Sequence, residues 1–393
     1  MSQFAVDRPG SGNASTPRAC LSIRHSPCDE TRRMNTLVQP LPKPRFPFAP
    51  SATLLIAGLV VLLVLATLTA TGIGAVEIPP SHILAILASQ LSFDTSRYFT
   101  PGEAALFMHL RFPRVLLGLV TGAGLAICGA ALQGLFRNPL ADPGLVGVSG
   151  GAALGAGFII LLGNLIAPLV FPELRMWLLP VAAFAGGLAA ALLVYRLGTR
   201  SGMSDIASML LAGIAINALA GAGLGAFSVF ANDEQLRNLT FFTLGGLGAA
   251  NWTIVALCSA VVALVAGVFM RQAQALNALL LGEAEAAHLG VDVQTVKRWI
   301  FLGVAAAVGV LVAFTGMIGF VGLVVPSLAR LLLGPDHHRA LPVSMLMGAL
   351  LVVIADMGAR TLIVPAELPL GVLTALIGTP FFIWLLAKRG KVS

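Results

Sequence analysis

Three groups of residues in this 393-residue sequence have the type and spacing to do chemistry, and each sets polar groups against apolar surroundings. The first is Arg111 and Arg114 in Arg111-Phe112-Pro113-Arg114, with Arg360 much later in the chain. A guanidinium pairs bidentately with a carboxylate, so arginines held at a surface suit the docking of an acidic partner. Two plainer roles stand beside that one: snorkelling to lipid phosphates and, for Arg360, an ion pair with Asp356 one helical turn away. The second group is the polar break Leu281-Gly282-Glu283-Ala284-Glu285-Ala286-Ala287-His288-Leu289-Gly290. Glu and Ala favour helix and a glycine at each end can start and stop one, so the spacing predicts a short surface helix. The third is Asn217, a lone amide on a stripe with Gly213, Gly221 and Gly225. It fits either a hydrogen bond between packed helices or a contact with a transported solute.

Motifs for catalysis or metal binding are missing. The sequence contains no Gly-x-x-x-x-Gly-Lys-Ser/Thr phosphate loop, so the chain is not the ATP-hydrolysing part of any machine. It also lacks a His-Glu-x-x-His helix and a serine-centred elbow. His337 and His338 read as an adjacent pair in a loop, and neighbouring positions do not converge on one metal from a helix face. Cys20, Cys28, Cys128 and Cys258 form no disulfide framework, and Cys20-x4-His25-x2-Cys28 is a weak metal pattern. No catalytic residue, metal ligand or bound cofactor is expected.

The elements that must hold these residues are membrane helices. Hydrophobic residues make up 57% of the chain, charged residues 10%, and the mean hydropathy is +0.92, which excludes a soluble protein. Strand alternation is missing and the apolar runs are long enough to cross a bilayer as helices, giving about ten spans. They fall near 52–76, 115–135, 144–163, 177–197, 206–231, 251–270, a pair within 299–333, 341–362 and 369–387. The stretches 77–110 and 232–240 read as polar connections, and Gly147, Gly151 and Gly155, like Gly118 and Gly122, as close-packing stripes. Residues 1–50 are rich in Pro, Ser and Arg and are expected to be disordered, with no signal peptide. Translation starting at Met34 would leave residues 1–33 without function. The net charge of +7 is a topology signal rather than a nucleic-acid footprint. With both termini cytoplasmic, Arg137, Arg196, Arg200, Arg271, Lys297, Arg298, Arg330, Arg339 and Lys388 all lie inside, as does 281–290.

Arg111-Phe112-Pro113-Arg114 and the run Gly129-Ala130-Ala131-Leu132-Gln133-Gly134-Leu135-Phe136-Arg137-Asn138-Pro139-Leu140-Ala141-Asp142-Pro143-Gly144-Leu145-Val146-Gly147 resemble the FecCD-type permeases. So do Gly282 to Gly290, Gly316 to Pro326, Ala355-Asp356, Arg360 and Glu367-Leu368-Pro369-Leu370-Gly371-Val372. These permeases are membrane subunits of ABC importers for iron-siderophores, heme and cobalamin. The resemblance implies an all-α type II ABC importer permease, working as a homodimer in the bacterial inner membrane. Its implied partners are two cytoplasmic ATPase subunits, which carry the ATP and Mg, and a periplasmic binding protein; nucleic acid is not among them. It further implies that Gly282, Glu283, Ala284, Glu285, Ala286, Ala287, His288, Leu289 and Gly290 form the helix that couples to the ATPase. Arg111, Arg114 and Arg360 would face glutamates of the binding protein. Asn138, Pro139 and Leu140, with Ser204, Asp205, Ile206 and Ala207, would form a cytoplasmic gate, and Asn217 would lie on the translocation path. The stretches around Gly213 to Leu219, Gln235 to Phe242 and Gly282 to Gly290 look most like heme permeases, although Met108 and His109 do not read as axial heme ligands. Ferric siderophores and cobalamin are the other cargoes the resemblance allows. The alternative from another class is an ion-coupled carrier using Asp356 and Asn217.

Overall fold

In a computed structural model, residues 52–74, 78–91, 96–200, 203–363 and 366–389 are described. The expected disordered tail, its cysteine pair and Met34 lie outside the described residues. Eight helices among them are long and apolar enough to cross a membrane: α1 (Ala52–Gly72), α4 (Phe112–Leu135), α5 (Val148–Ile166), α6 (Leu178–Leu197), α7 (Ile206–Phe230), α9 (Trp252–Arg271), α12 (Val293–Thr315) and α14 (His337–Thr361). Two further apolar helices, α13 (Val321–Leu333) and α15 (Leu370–Arg389), lie where the remaining spans were expected, so the helix count is close to the ten read from the sequence. The two-stranded ladder β1 (Thr199–Arg200) and β2 (Met203–Ser204) is the only sheet among the described residues.

The connections hold more helix than their polarity implies. Stretch 77–110 contains α2 (Pro80–Gln90) and α3 (Pro101–Leu106), and Ile78, Ile83, Ile86 and Phe107 close a small core of their own. A capping box starts α3: the Glu103 N–H donates to Thr100 Oγ1 and the Thr100 N–H donates to the Glu103 carboxylate. A π turn at Phe107–Arg111 then joins α3 to α4. Pro113 explains it, because a proline ring crowds the carbonyl four residues back and the helix relieves this by widening by one residue. Residues 232–240 belong to α8 (Asp233–Leu244), which is capped by Asn232 and Gln235 in the same way. His337 and His338 sit in the first turn of α14 rather than in a loop.

The bundle is built around α4, most of whose surface is buried by α14, α13, α9, α12 and α1. Lipid and side chains are equally apolar, so close contact rather than water exclusion holds such helices together. Small residues allow it. A side chain at Gly122 would strike the Gly348 backbone on α14, one at Gly129 the Gly322 backbone on α13, and one at Gly151 the Gly186 carbonyl on α6. The stripe predicted on α7 is only half used within the chain. Gly213 packs on the Leu145 carbonyl, whereas a side-chain carbon at Gly221 or Gly225 would meet nothing of the described chain.

Candidate functional site

The polar groups collect at the two ends of the bundle. At one end lies α11 (Glu283–His288), reached from α9 through the short α10 (Ala273–Leu279). Its boundaries are set by glycine: Gly282 has φ 137° and Gly290 has φ 85°, both in the left-handed range that L side chains avoid. The Val291 N–H donates to the Ala286 carbonyl and the Gly290 N–H to the Ala287 carbonyl, each at 3.0 Å, a Schellman closure. Ala286 points into the body and is fully buried, while Ala284, Glu285, Ala287, His288 and Leu289 face outward. The predicted helix is therefore present, with small and charged side chains on a free face. Next to it, Asp292 caps α12 by accepting from the Thr295 N–H, and the Thr295 side chain and N–H hold its carboxyl below the usual carboxylate range. Asn277 pins α10 to the start of α14, donating to Asp336 Oδ1 and accepting from the His337 N–H, both at 2.8 Å.

One residue counted in the sequence only as a positive charge does more than that. Lys297 is buried, and its Nζ donates to Glu283 Oε2 on α11 and to the Ser204 carbonyl, each at 2.8 Å. The Ser204 N–H in turn donates to Gln294 Oε1 at 3.0 Å, and Ser204 Oγ lies 3.1 Å from Thr199 Oγ1 across the ladder. Asp205 follows and caps α7, accepting from the Ala207 and Ser208 N–H groups. The Ser208 hydroxyl and N–H hold the Asp205 carboxyl below its usual range, with a smaller contribution from Lys297. Segment 204–207 is thus joined to α11. The other expected gate segment is separate: Asn138 Oδ1 accepts from the Leu140 N–H, and the Pro139 carbonyl accepts from Ser327 Oγ on α13.

At the opposite end the three arginines converge, but they do not all present charge outward. Arg111 is buried, and its Nη1 donates to the Thr71 and Gly72 carbonyls at 3.1 and 2.9 Å. Arg360, whose side chain is 8% exposed, pairs with Asp356 at 3.0 Å and donates to the Ala70 carbonyl at 2.9 Å. These two cap the last turn of α1, where four carbonyls have no partner within the helix and cations are favoured. Outward-facing charge is therefore not found at Arg111 and Arg360; the local pair with Asp356 is. Arg114 lies between the groups, 3.0 Å from Asp356 and bidentate to Glu367 at 3.1 and 2.9 Å. The Glu367 side chain is 55% exposed, so this pair forms the rim. A cavity of about 660 Å³ opens beside it, with Trp177, Phe241, Phe242, Phe314 and Asn251 on its walls. Glu367 carried no local signal, because its partner is 253 positions away.

Asn217 spends its amide on the chain, with Nδ2 donating to the Gly144 carbonyl at 2.8 Å and fastening α7 to the turn Pro143–Val146. Among the described residues no group of three or more His, Cys, Asp or Glu is arranged to hold a metal ion.

Comparison with known proteins places this geometry. The FecCD transport family matches residues 61–388. The hemin transport system permease protein HmuU of Yersinia pestis is 41% identical over 338 residues, covering 86% of this chain and 96% of its own. The cobalamin import system permease protein BtuC of Halobacterium salinarum is 43% identical over 280 residues, covering 71% of this chain and 73% of its own. The vitamin B12 import system permease protein BtuC of Shigella sonnei is 37% identical, covering 79% and 92%. A solved inward-facing structure of a metal-chelate type ABC transporter superimposes with a TM-score of 0.72 at 31% identity, covering 86% of this chain and 99% of that one.

Proposed function

Because the chain belongs to the FecCD transport family and is the non-catalytic, multi-pass permease of a type II ABC importer, we propose that it carries hemin into the cytoplasm of a bacterium across the inner membrane. It does so as a homodimer, with its termini and α11 on the cytoplasmic side. ATP and Mg belong to two partner ATPase subunits, and the rim at Arg114 and Glu367 meets a periplasmic binding protein. The observation that carries the motor-driven reading is α11, a glycine-bounded surface helix anchored by Ala286 and turning a small, charged face outward. A carrier driven by an ion gradient has no use for such a handle, and Asp356, the residue it would need, is held between Arg114 and Arg360.

Hemin is favoured over the other chelates by the match to HmuU, which runs along 96% of that protein's length. Cobalamin is the second reading, favoured by the matches to the two BtuC permeases. The homodimer is supported by α7, whose face at Gly221 and Gly225 has no neighbour in the described chain and leaves room for a second copy. An apolar seam rich in Gly and Ala suits a large planar cargo that must be released, since tight ligation would hold it.

Reversing the outward charges of α11, with Glu285→Lys and His288→Glu together, tests the motor contact without disturbing Lys297. Association with the ATPase, followed by co-purification, is expected to fall about tenfold, equivalent to 1.4 kcal/mol. Unchanged association would remove the motor contact from α11.

A further inference from the structure

We infer that Lys297 is the positioning residue that transmits movement of α11 to the start of α7, so that one buried ammonium joins the motor-contacting helix to a transport helix. The inference rests on the proposed reading of α11.

A short surface helix moved by a partner needs a stiff connection to do work inside the bundle, and loops do not supply one. The chain after α11 turns through Gly290, whose φ of 85° leaves the backbone path a bend rather than a strut. Lys297 bridges that bend. Its side chain is 3% exposed, and its ammonium touches two elements at 2.8 Å each: the Glu283 carboxylate on α11 and the Ser204 carbonyl. Ser204 is immediately followed by Asp205, the cap of α7. From α12, the helix that carries Lys297, Gln294 holds the N–H of that same Ser204, so both backbone groups of one residue are gripped by one helical turn. Displacement of α11 therefore reaches the α7 cap through two charge-assisted hydrogen bonds to a buried donor, contacts that are short and strongly oriented. The arrangement also explains why a lysine is buried here at all, since burial of an ammonium is tolerated when it is paired and hydrogen-bonded.

The test uses the full complex in proteoliposomes, with the cognate ATPase and binding protein and hemin as cargo. The readout is hemin imported per ATP hydrolysed by purified, fully assembled complex, a ratio that a smaller amount of complex does not move. Lys297→Met removes both contacts while keeping an unbranched side chain out to the ε carbon, and it leaves Glu283, 37% exposed, free to take up water. The ratio is expected to fall roughly three- to thirtyfold, the range over which coupling contacts act. Glu283→Gln is expected to lower it less, and the double variant no further than Lys297→Met, because the two changes break one connection. A Lys297→Met complex with the wild-type ratio, or strictly additive effects, would overturn the inference. Cross-linking of a cysteine at Glu285 to the ATPase separates the two levels: a cross-link with an unchanged ratio overturns the role of Lys297 alone. No cross-link overturns the reading of α11 as well.

Discussion

At the scale of the residue, the arginines show how far composition reaches. That Arg111, Arg114 and Arg360 act at the same end of the molecule followed from the positions of the apolar runs. Their different roles did not, because each is decided by a partner far away in sequence: α1 carbonyls for Arg111 and Arg360, Glu367 for Arg114. Arg111→Met is expected to cost about 1.5–3 kcal/mol, the worth of hydrogen bonds to a charged donor, as the end of α1 loses its cap. Thermal unfolding in detergent measures it, and an unchanged midpoint would deny Arg111 that role. The rim behaves differently. If an acidic partner docks there, Glu367→Gln removes a like charge and frees part of Arg114, so association with the binding protein strengthens at low salt and the gain shrinks as salt is added. Weaker association, or a gain indifferent to salt, would contradict an acidic partner.

At the scale of the element, α11 and the eight long apolar helices were legible because their signals are local: glycine at both ends of a Glu/Ala run, and apolar runs of bilayer length. The short helices α2, α3 and α8 were not, since their stretches read as polar connections; capping boxes start α3 and α8, and Ile83 and Ile86 bury one face of α2. The glycine stripes were legible as close-packing faces, but which helix each one meets was not. That pairing is sharp in the structure: Gly122 and Gly348 lie with each backbone where the other's side chain would be. Gly122→Val is accordingly expected to force α4 and α14 apart. Overpacking of this kind typically costs about 1–3 kcal/mol, and here neither side can yield because both obstacles are backbone. The same substitution at Gly221, where no neighbour stands within the chain, should leave the stability of the single chain unchanged. Comparing the two variants by yield and thermal unfolding checks this, and equal loss at both positions would refute it.

At the scale of the whole molecule, one bundle joins two ends that carry different polar groups. One end carries α11, tied through Lys297 to the cap of α7; the other carries a rim of paired charge beside α1, whose last turn is capped by arginine. An importer driven from outside the chain needs both a place for the motor and a place for the protein that delivers cargo. The fold and the short helix α11 were legible in the sequence, whereas the Lys297 link spans 93 residues to Ser204 and follows from no pattern of spacing. Cargo is the property least written in the chain: the described residues hold no group of three or more His, Cys, Asp or Glu arranged for a metal ion, and the relatives' names cover both hemin and cobalamin. The most direct measurement is uptake by the complete complex in proteoliposomes, with hemin, a ferric siderophore panel and cobalamin offered in turn. Hemin is expected to accumulate only with ATP and a hydrolysis-competent ATPase. Hemin accumulating on an ion gradient without ATP, or ATP-driven uptake of another chelate with none of hemin, would contradict it.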